Sequence, residues 1–150
     1  MEQTNQYCTF YLDKYFLGVA VQNVQEVFRY QPMTVVPLAP QMVRGLINLR
    51  GQIITALDLR RRLGMPDHPD EKPPMNVVVR SEGGVVSLLV DSIADVLDVS
   101  ADSFEPTPET IRGPFRELVC GVYKLSGKLL LILDIEKIIN VGGDEAGKDL

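Results

Sequence analysis

The chain contains one stretch of sequence twice. Residues 45–64 (GLINLRGQIITALDLRRRLG) align without a gap with residues 121–140 (GVYKLSGKLLLILDIEKIIN), 76 positions later. Residues 19–28 also align with residues 88–97, at an offset of 69. An internal repeat of this kind predicts a doubled structural unit. Five positions of the longer match are identical: Gly45/Gly121, Leu49/Leu125, Gly51/Gly127, Leu57/Leu133 and Asp58/Asp134.

The two halves have the alternating pattern of short β-strands. Apolar and polar residues alternate over 7–12 and 15–21, around a turn at Asp13 and Lys14, which predicts a β-hairpin. Because this turn lacks the preferred Asn-Gly or Asp-Gly, we expect a looser or bulged connection. Further strands are predicted at 27–30, 46–49, 53–57, 77–80, 85–90, 96–99, 118–125 and 129–133.

Each repeat ends in a pattern typical of a short helix. Asp58 and Asp134 are candidate N-caps, whose carboxylates can accept hydrogen bonds from free backbone amides. Apolar residues spaced four apart then follow on one helical face, and Gly64 can end the first helix. Small sheets avoid open edges by curling. The predicted fold class is therefore mostly β, with two pseudo-repeated five-stranded barrels packed together and short helices.

The distribution of prolines predicts the domain organisation. Residues 66–74 contain four prolines separated by charged side chains and cannot continue a strand or helix, so they form the predicted connector. We expect one domain over residues 6–140, with barrel subdomains at about 15–65 and 75–140. Residues 6–14 can alternatively join the second barrel. The polar, glycine-containing residues 141–150 are predicted to be a flexible tail.

Charge and composition exclude some partners. The net charge of -5 argues against binding to nucleic acid or to an anionic membrane, because both need a basic surface. The longest aliphatic run, residues 129–133, is far too short to enter a membrane, so the protein is predicted to be cytoplasmic. Cys8 and Cys120 lie in no metal-binding or redox motif and are expected to be reduced, buried thiols.

The chain offers little material for an active site. His68 is the only histidine and lies in the proline-rich connector, where we expect a surface residue, so neither a metal site nor a catalytic triad can be built around it. Asp91, Asp95, Asp98 and Asp102 fit no metal-binding spacing and are better explained as a solvated rim. We therefore predict no catalysis and no cofactor.

Two arginine-containing segments need separate interpretations. The run at 60–62 lies on a short helix whose inward face is apolar, so we expect a solvated outer face. Arg50 precedes Gly51 at a predicted hairpin turn, whereas the second repeat has Ser126 there. A carboxylate such as Glu26 can hold a guanidinium and leave its other donors for a partner. An ordinary surface ion pair, contributing ~0–1 kcal/mol, is the competing interpretation.

At this point the sequence resembles a known family, the CheW adaptors. The resemblance covers residues 7–140, and its most specific part is the hairpin motif together with the upstream glutamate. Thr55 and Ala56 depart from the proline and valine that the family often has there. The matching segments read Val24-Gln25-Glu26-Val27, then Thr34 to Pro37 and Pro40, then Gly45-Leu46-Ile47-Asn48-Leu49-Arg50-Gly51, and Leu57-Asp58-Leu59.

The resemblance implies a fold and a function. The fold would be two SH3-like barrels around a shared hydrophobic interface. The function would be that of a non-catalytic adaptor between the cytoplasmic tip of a chemoreceptor and the regulatory domain of the CheA histidine kinase, within membrane-bound receptor arrays. Receptor contact in the family is attributed to the groove between the barrels. Carried over, the receptor-binding residues would be Val24, Glu26, Gly45, Asn48, Arg50 and Gly51.

Some questions stay open at the level of sequence. The resemblance assigns no kinase-binding residues here, and it does not choose between swimming chemotaxis, pilus-linked motility and surface sensing. A different β-barrel module, binding other proteins or peptides without a kinase link, is the alternative function. A small hydrolase or metal enzyme is a weaker alternative function, because His68 is the only histidine in the sequence.

Overall fold

The computed structural model describes residues 3–69 and 72–140. These ranges contain eleven strands, three short α-helices and two 3-10 turns, at Val21–Asn23 and Ala101–Ser103. The predicted tail at 141–150 lies outside the described residues. The strands are β1 (Thr4–Leu12), β2 (Tyr15–Ala20), β3 (Val24–Phe28), β4 (Val43–Leu49), β5 (Gln52–Asp58), β6 (Met75–Ser81), β7 (Gly84–Val90), β8 (Ser92–Ser100), β9 (Phe104–Glu105), β10 (Val119–Leu125) and β11 (Lys128–Leu133), and the helices are α1 (Leu59–Arg62), α2 (Pro114–Leu118) and α3 (Ile135–Ile139).

The strands form two sheets of the same design, which confirms the predicted fold class of two packed β-barrels. One sheet has the order β3-β6-β7-β5-β4, and the other has the order β8-β1-β2-β11-β10-β9. The repeat matches equate β2 to β5 with β7, β8, β10 and β11, and β1 corresponds to β6 by its order in the chain. Under that correspondence the two orders are identical, apart from the short extra strand β9. Each sheet also contains one parallel pair, β5 with β7 and β11 with β2.

Each sheet takes strands from both repeats. The hairpin β1–β2 of the first repeat pairs with β8 and β11 of the second, while β6–β7 of the second repeat pairs with β3 and β5 of the first. The sheets therefore divide the chain differently from the predicted subdomains 15–65 and 75–140. The exchange of hairpins between the two repeats was not predicted, because alternation indicates which face of a strand is buried but not which strand lies next to it. Strand β1, which contains residues 6–12, lies between β8 and β2 in the six-stranded sheet.

The first hairpin differs from its prediction. Leu12 pairs with Tyr15, so only Asp13 and Lys14 form the turn, and the β1–β2 register runs without a bulge. Asp13 has a positive φ of 56°. Aspartate tolerates the left-handed backbone of a tight two-residue turn. The expected looser or bulged connection is therefore wrong.

Both predicted helix caps are confirmed. The side chain of Asp58 accepts a hydrogen bond from the amide of Arg61 at 3.2 Å, and that of Asp134 accepts from the amide of Lys137 at 3.2 Å. Gly64, with a φ of 79°, ends α1 as expected. Its amide donates to the carbonyl of Arg61, and the amide of Met65 donates to the carbonyl of Arg60, which is the Schellman pattern.

The main hydrophobic cluster lies between the two sheets, which confirms the expected shared interface. It includes Phe10 and Leu17 from one sheet and Val79 and Leu88 from the other, all with no exposed surface. Burying a side chain of this size contributes ~1.5–3 kcal/mol, so the contact between the barrels is part of the core of the protein. Smaller clusters lie elsewhere, one around Tyr7, Phe16 and Tyr123 and another around Ile47, Ala56 and Leu89.

Two further sequence expectations can be compared with the structure. Cys8 and Cys120 are both free thiols, but Cys120 is exposed and Cys8 is only half-buried, so the expectation of two buried thiols is wrong. Within the described residues, no helix is long and apolar enough to span a membrane.

Candidate functional site

The β4–β5 turn presents Arg50 to solvent. Leu49 pairs with Gln52, which leaves Arg50 and Gly51 as a two-residue turn with φ values of 52° and 87°. Positive φ at both positions is the signature of the type I′ turn, whose twist suits a hairpin. The Asn48 side chain accepts a hydrogen bond from the amide of Gly51 at 3.0 Å. Gly127, the repeat partner of Gly51, also has a positive φ, of 82°.

Arg50 and Glu26 form an ion pair, as the sequence suggested. Nη2 of Arg50 donates to Oε2 of Glu26, with 73% of the arginine side chain and 23% of the glutamate side chain exposed. Glu26 lies on β3 and Arg50 follows β4, and these strands form opposite edges of the five-stranded sheet. Their contact therefore requires the sheet to close on itself. The exposed guanidinium keeps further N–H donors available to a partner.

Two of the six candidate residues lie below the surface. Gly45 is buried, and a Cβ there would come within 2.7 Å of the carbonyl oxygen of Thr34. This close approach allows Thr34 to exchange two backbone hydrogen bonds with Leu46, at 2.9 and 2.8 Å. Val24 is half-buried against the core between the sheets. The glycine and the valine are thus placed to shape the site, while Glu26, Asn48, Arg50 and Gly51 reach its surface.

Two exposed apolar side chains lie on β5 and β3, close in sequence to the polar pair. Ile53 is opposite Asn48 in the β4–β5 register and is 60% exposed, and Val27, which follows Glu26, is 39% exposed. The 3-10 turn before β3 contacts both β1 and β6, so the strand bearing Glu26 begins at the junction of the two sheets. An exposed guanidinium on a tight turn, with exposed aliphatic side chains on the neighbouring strands, has the composition of a recognition surface.

The arginine run at 60–62 was interpreted wrongly. Arg60 is 6% exposed, and its guanidinium binds the carboxylate of Asp91 through two hydrogen bonds. Arg62 donates to the carbonyl oxygens of Lys137 and Ile138 in α3. The helix face that was expected to be solvated therefore includes a buried side chain, Arg60. It also includes Arg62, which links α1 to α3. The repeat comparison contained a signal, because the position of Arg60 carries Glu136 in the second copy.

A cavity of about 480 Å³ lies between α1 and the connector. Arg61 extends along its wall and binds both carboxylate oxygens of Asp67, at 3.0 and 3.1 Å, which lowers the pKa of that aspartate. Burial raises the pKa of Asp91, but hydrogen bonds from Arg60 and from the amide of Asp13 outweigh burial, and its pKa lies below the usual range. Each of these two aspartates is therefore paired with an arginine, and all four side chains line the cavity.

The predicted acidic rim is divided by the fold. Asp91 takes part in the buried pair, whereas Asp95 and Asp98 are exposed on the edge strand β8 and Asp102 follows in a 3-10 turn. His68 is half-buried, with Nε2 at 4.0 Å from Oδ2 of Asp91. Within residues 3–69 and 72–140, no three His, Cys, Asp or Glu side chains converge on a possible metal position.

Known proteins resemble this chain over most of its length. Residues 6–142 match the family model described as CheW-like domain. A probable chemotaxis protein CheW of Rhizobium etli is 30% identical over 128 residues, covering 85% of this chain and 83% of the relative. The chemotaxis protein CheW of Thermotoga maritima is 32% identical over 131 residues, covering 87% and 85%.

A solved structure supports the same relationship. The crystal structure of scaffolding protein TtCheW from Thermoanaerobacter tengcongensis superposes with a TM-score of 0.83 at 28% identity, covering 94% of this chain and 96% of that one. The doubled barrel and the hairpin bearing Arg50 thus agree with the match over residues 6–142. On sequence and on structure, the chain belongs to the CheW family of chemotaxis scaffold proteins.

Proposed function

We propose that the chain is a non-catalytic adaptor that couples chemoreceptors to a CheA-type histidine kinase. Membership of a scaffold family supports this function. The observation that carries it is the Arg50–Glu26 pair, held at a tight turn with most of the Arg50 side chain exposed. An exposed ion pair contributes only ~0–1 kcal/mol to folding, so this arrangement gives the fold little and offers a partner a fixed, charged contact.

The receptor would bind over the surface formed by Glu26, Arg50 and Gly51, with Asn48 hydrogen-bonded to the same turn. Gly45 would support this surface from below because it is buried, and the half-buried Val24 would support it by packing against the core. Ile53 would add apolar contact that the family resemblance did not indicate. Arginine is among the residues that are enriched in binding hot spots.

The kinase would bind elsewhere on the molecule, through its CheW-like regulatory domain. With receptor and kinase held in one arrangement, a conformational change in one would bias the activity of the other. The adaptor would act in the cytoplasm and be recruited to membrane-bound receptor arrays. Such recruitment requires no membrane-binding surface on the adaptor, in keeping with its net charge of -5.

Reconstituted receptor, CheA and adaptor provide the test. Arg50→Ala and Glu26→Ala are expected to retain the fold but to weaken receptor binding and receptor-dependent control of kinase activity. The matched controls are Ser126→Ala and Asp95→Ala, the same two positions in the second repeat, which should behave as wild type. Normal receptor control in both site variants would refute the proposed docking surface.

A further inference from the structure

Asn48 makes its contact within the turn. Its Oδ1 accepts the amide hydrogen of Gly51 at 3.0 Å, three residues along the chain, across the tip that Arg50 forms. The Asn48 side chain therefore already has a structural partner in the protein. A side chain engaged in this way has less freedom to serve as a contact for another molecule.

Arg50 has a backbone conformation that needs support. Its φ of 52° lies in the left-handed region, where the Cβ of an L-residue comes close to the following carbonyl oxygen. Glycine, asparagine and aspartate enter this region most readily, and arginine has no such preference. A nearby hydrogen bond that holds the adjacent Gly51 can supply the missing support.

The second repeat lacks this support and has a different turn. Lys124 occupies the position that corresponds to Asn48. A lysine side chain has no atom that can accept the amide hydrogen of the turn, and Nζ of Lys124 lies 3.4 Å from Oε1 of Glu105. Gly127 keeps a φ of 82°, but Ser126 is outside the left-handed region, since the only described non-glycine residues with positive φ are Asp13, Leu38 and Arg50. The two turns have equal length but differ in the sign of φ at their first residue, Arg50 after Leu49 and Ser126 after Leu125.

The sign of φ at Arg50 sets the direction of its Cα–Cβ bond, and in the observed form the guanidinium reaches Glu26. We infer that Asn48 is a positioning residue, whose bond to Gly51 holds the left-handed turn that aims Arg50 at Glu26. Asn48 then influences receptor binding through Arg50, without touching the receptor. The binding part of this inference rests on the proposed function, whereas the backbone part does not.

The test combines NMR of the free protein with receptor binding. In Asn48→Ala, the backbone couplings of Arg50 that report the sign of φ should shift toward negative φ, and receptor affinity should fall roughly two- to tenfold, the size of one hydrogen bond. Asn48→Asp keeps an acceptor at the same place and should retain both properties. Adding Asn48→Ala to Arg50→Ala should cause no further loss. Lys124→Ala is the control and should leave both measurements unchanged.

The outcomes distinguish the positioning role of Asn48 from the proposed receptor-docking surface. Unchanged Arg50 couplings in Asn48→Ala would overturn the positioning role, whatever the receptor does. A further loss of affinity when Asn48→Ala is added to Arg50→Ala would also overturn it, because Asn48 would then act independently of Arg50. Normal binding by Arg50→Ala itself would instead refute the proposed docking surface, while the NMR result would still decide how the turn is held.

Discussion

Nε of Arg60 donates to Oδ1 of Asp91 at 2.9 Å, and this bond joins the two repeats. Arg60 lies on α1 at the end of the first repeat, and Asp91 follows β7 in the second. The same carboxylate accepts the backbone amide of Asp13, at the β1–β2 turn, through Oδ2 at 2.7 Å. One acidic side chain thus connects a hairpin of one sheet to the helix and strand of the other.

Breaking this pair should strongly destabilise the protein. The side chains of Arg60 and Asp91 are 7% and 15% exposed, so removal of one leaves an uncompensated buried charge. We expect Arg60→Ala to lower the free energy of unfolding by about 3–5 kcal/mol. Denaturant titration checks this value. Arg29→Ala, at an exposed position, is the control and should stay within about 0.5 kcal/mol of wild type; a similar small effect of Arg60→Ala would contradict the role of the pair.

The same carboxylate should make stability depend on acidity. The pKa of Asp91 in the folded protein lies below its unfolded value of about 3.9, so its contribution is complete above that value and is lost as pH falls through the folded-state pKa. Unfolding free energies of wild type and Asp91→Asn, measured from neutral pH into this acid range, should therefore converge as pH falls. A constant difference between the two proteins across that range would show that Asp91 does not titrate in this way.

The sequence predicted ten of the eleven described strands, all but β9, and the Arg50–Glu26 contact, for different reasons. Alternation of apolar residues locates a strand and its buried face, as for Phe10 and Leu12 in β1. The ion pair was found because comparing two copies of one unit isolates positions such as Arg50 and Ser126, where only one copy carries a special side chain. Both signals are local or internal to the repeat.

What sequence could not provide was the choice between long-range partners. Pairing of β2 with β11 joins residues of different repeats, and nothing in the alternation of either strand specifies the other. Arg60 was misplaced for a related reason. The spacing of Leu59 and Leu63 defines one buried helix face, but the partner that buries Arg60 is Asp91, which approaches from another part of the sheet.

Alanine at the two equivalent glycines should have unequal costs. At Gly45 a Cβ would meet the carbonyl oxygen of Thr34 at 2.7 Å, and this backbone is held by two hydrogen bonds to Leu46. At Gly121 a Cβ would meet the ring of Phe104, which is 42% exposed and can swing aside. We expect a loss of about 1–3 kcal/mol for Gly45→Ala and a smaller one for Gly121→Ala in thermal or denaturant unfolding. The reverse order would show that the Phe104 ring is the less movable neighbour.

The two helix caps should also differ in strength. Asp134 caps α3 alone, so Asp134→Ala should cost about 1 kcal/mol. Asp58 caps α1 and also accepts from Nη1 of Arg44 at 2.9 Å, with only 9% of its side chain exposed. Asp58→Ala should therefore cost roughly 2–3 kcal/mol, because a charge-assisted hydrogen bond is lost with the cap. Equal losses in denaturant unfolding would mean that the bond to Arg44 adds nothing to stability.

Exchanging the charges of Glu26 and Arg50 separates a paired site from two independent contacts. Glu26→Arg and Arg50→Glu each place like charges side by side on opposite edges of one sheet, and each should abolish most receptor-dependent control of the kinase. The double variant restores an attraction between the two side chains, at a cost to folding of no more than ~1 kcal/mol because the pair is exposed. If the receptor recognises the turn that the pair holds, the double variant should recover part of the control measured in reconstituted arrays. If it recognises each charge separately, the double variant will be as inactive as the single ones, and Glu26 and Arg50 must then be treated as two contacts on one surface.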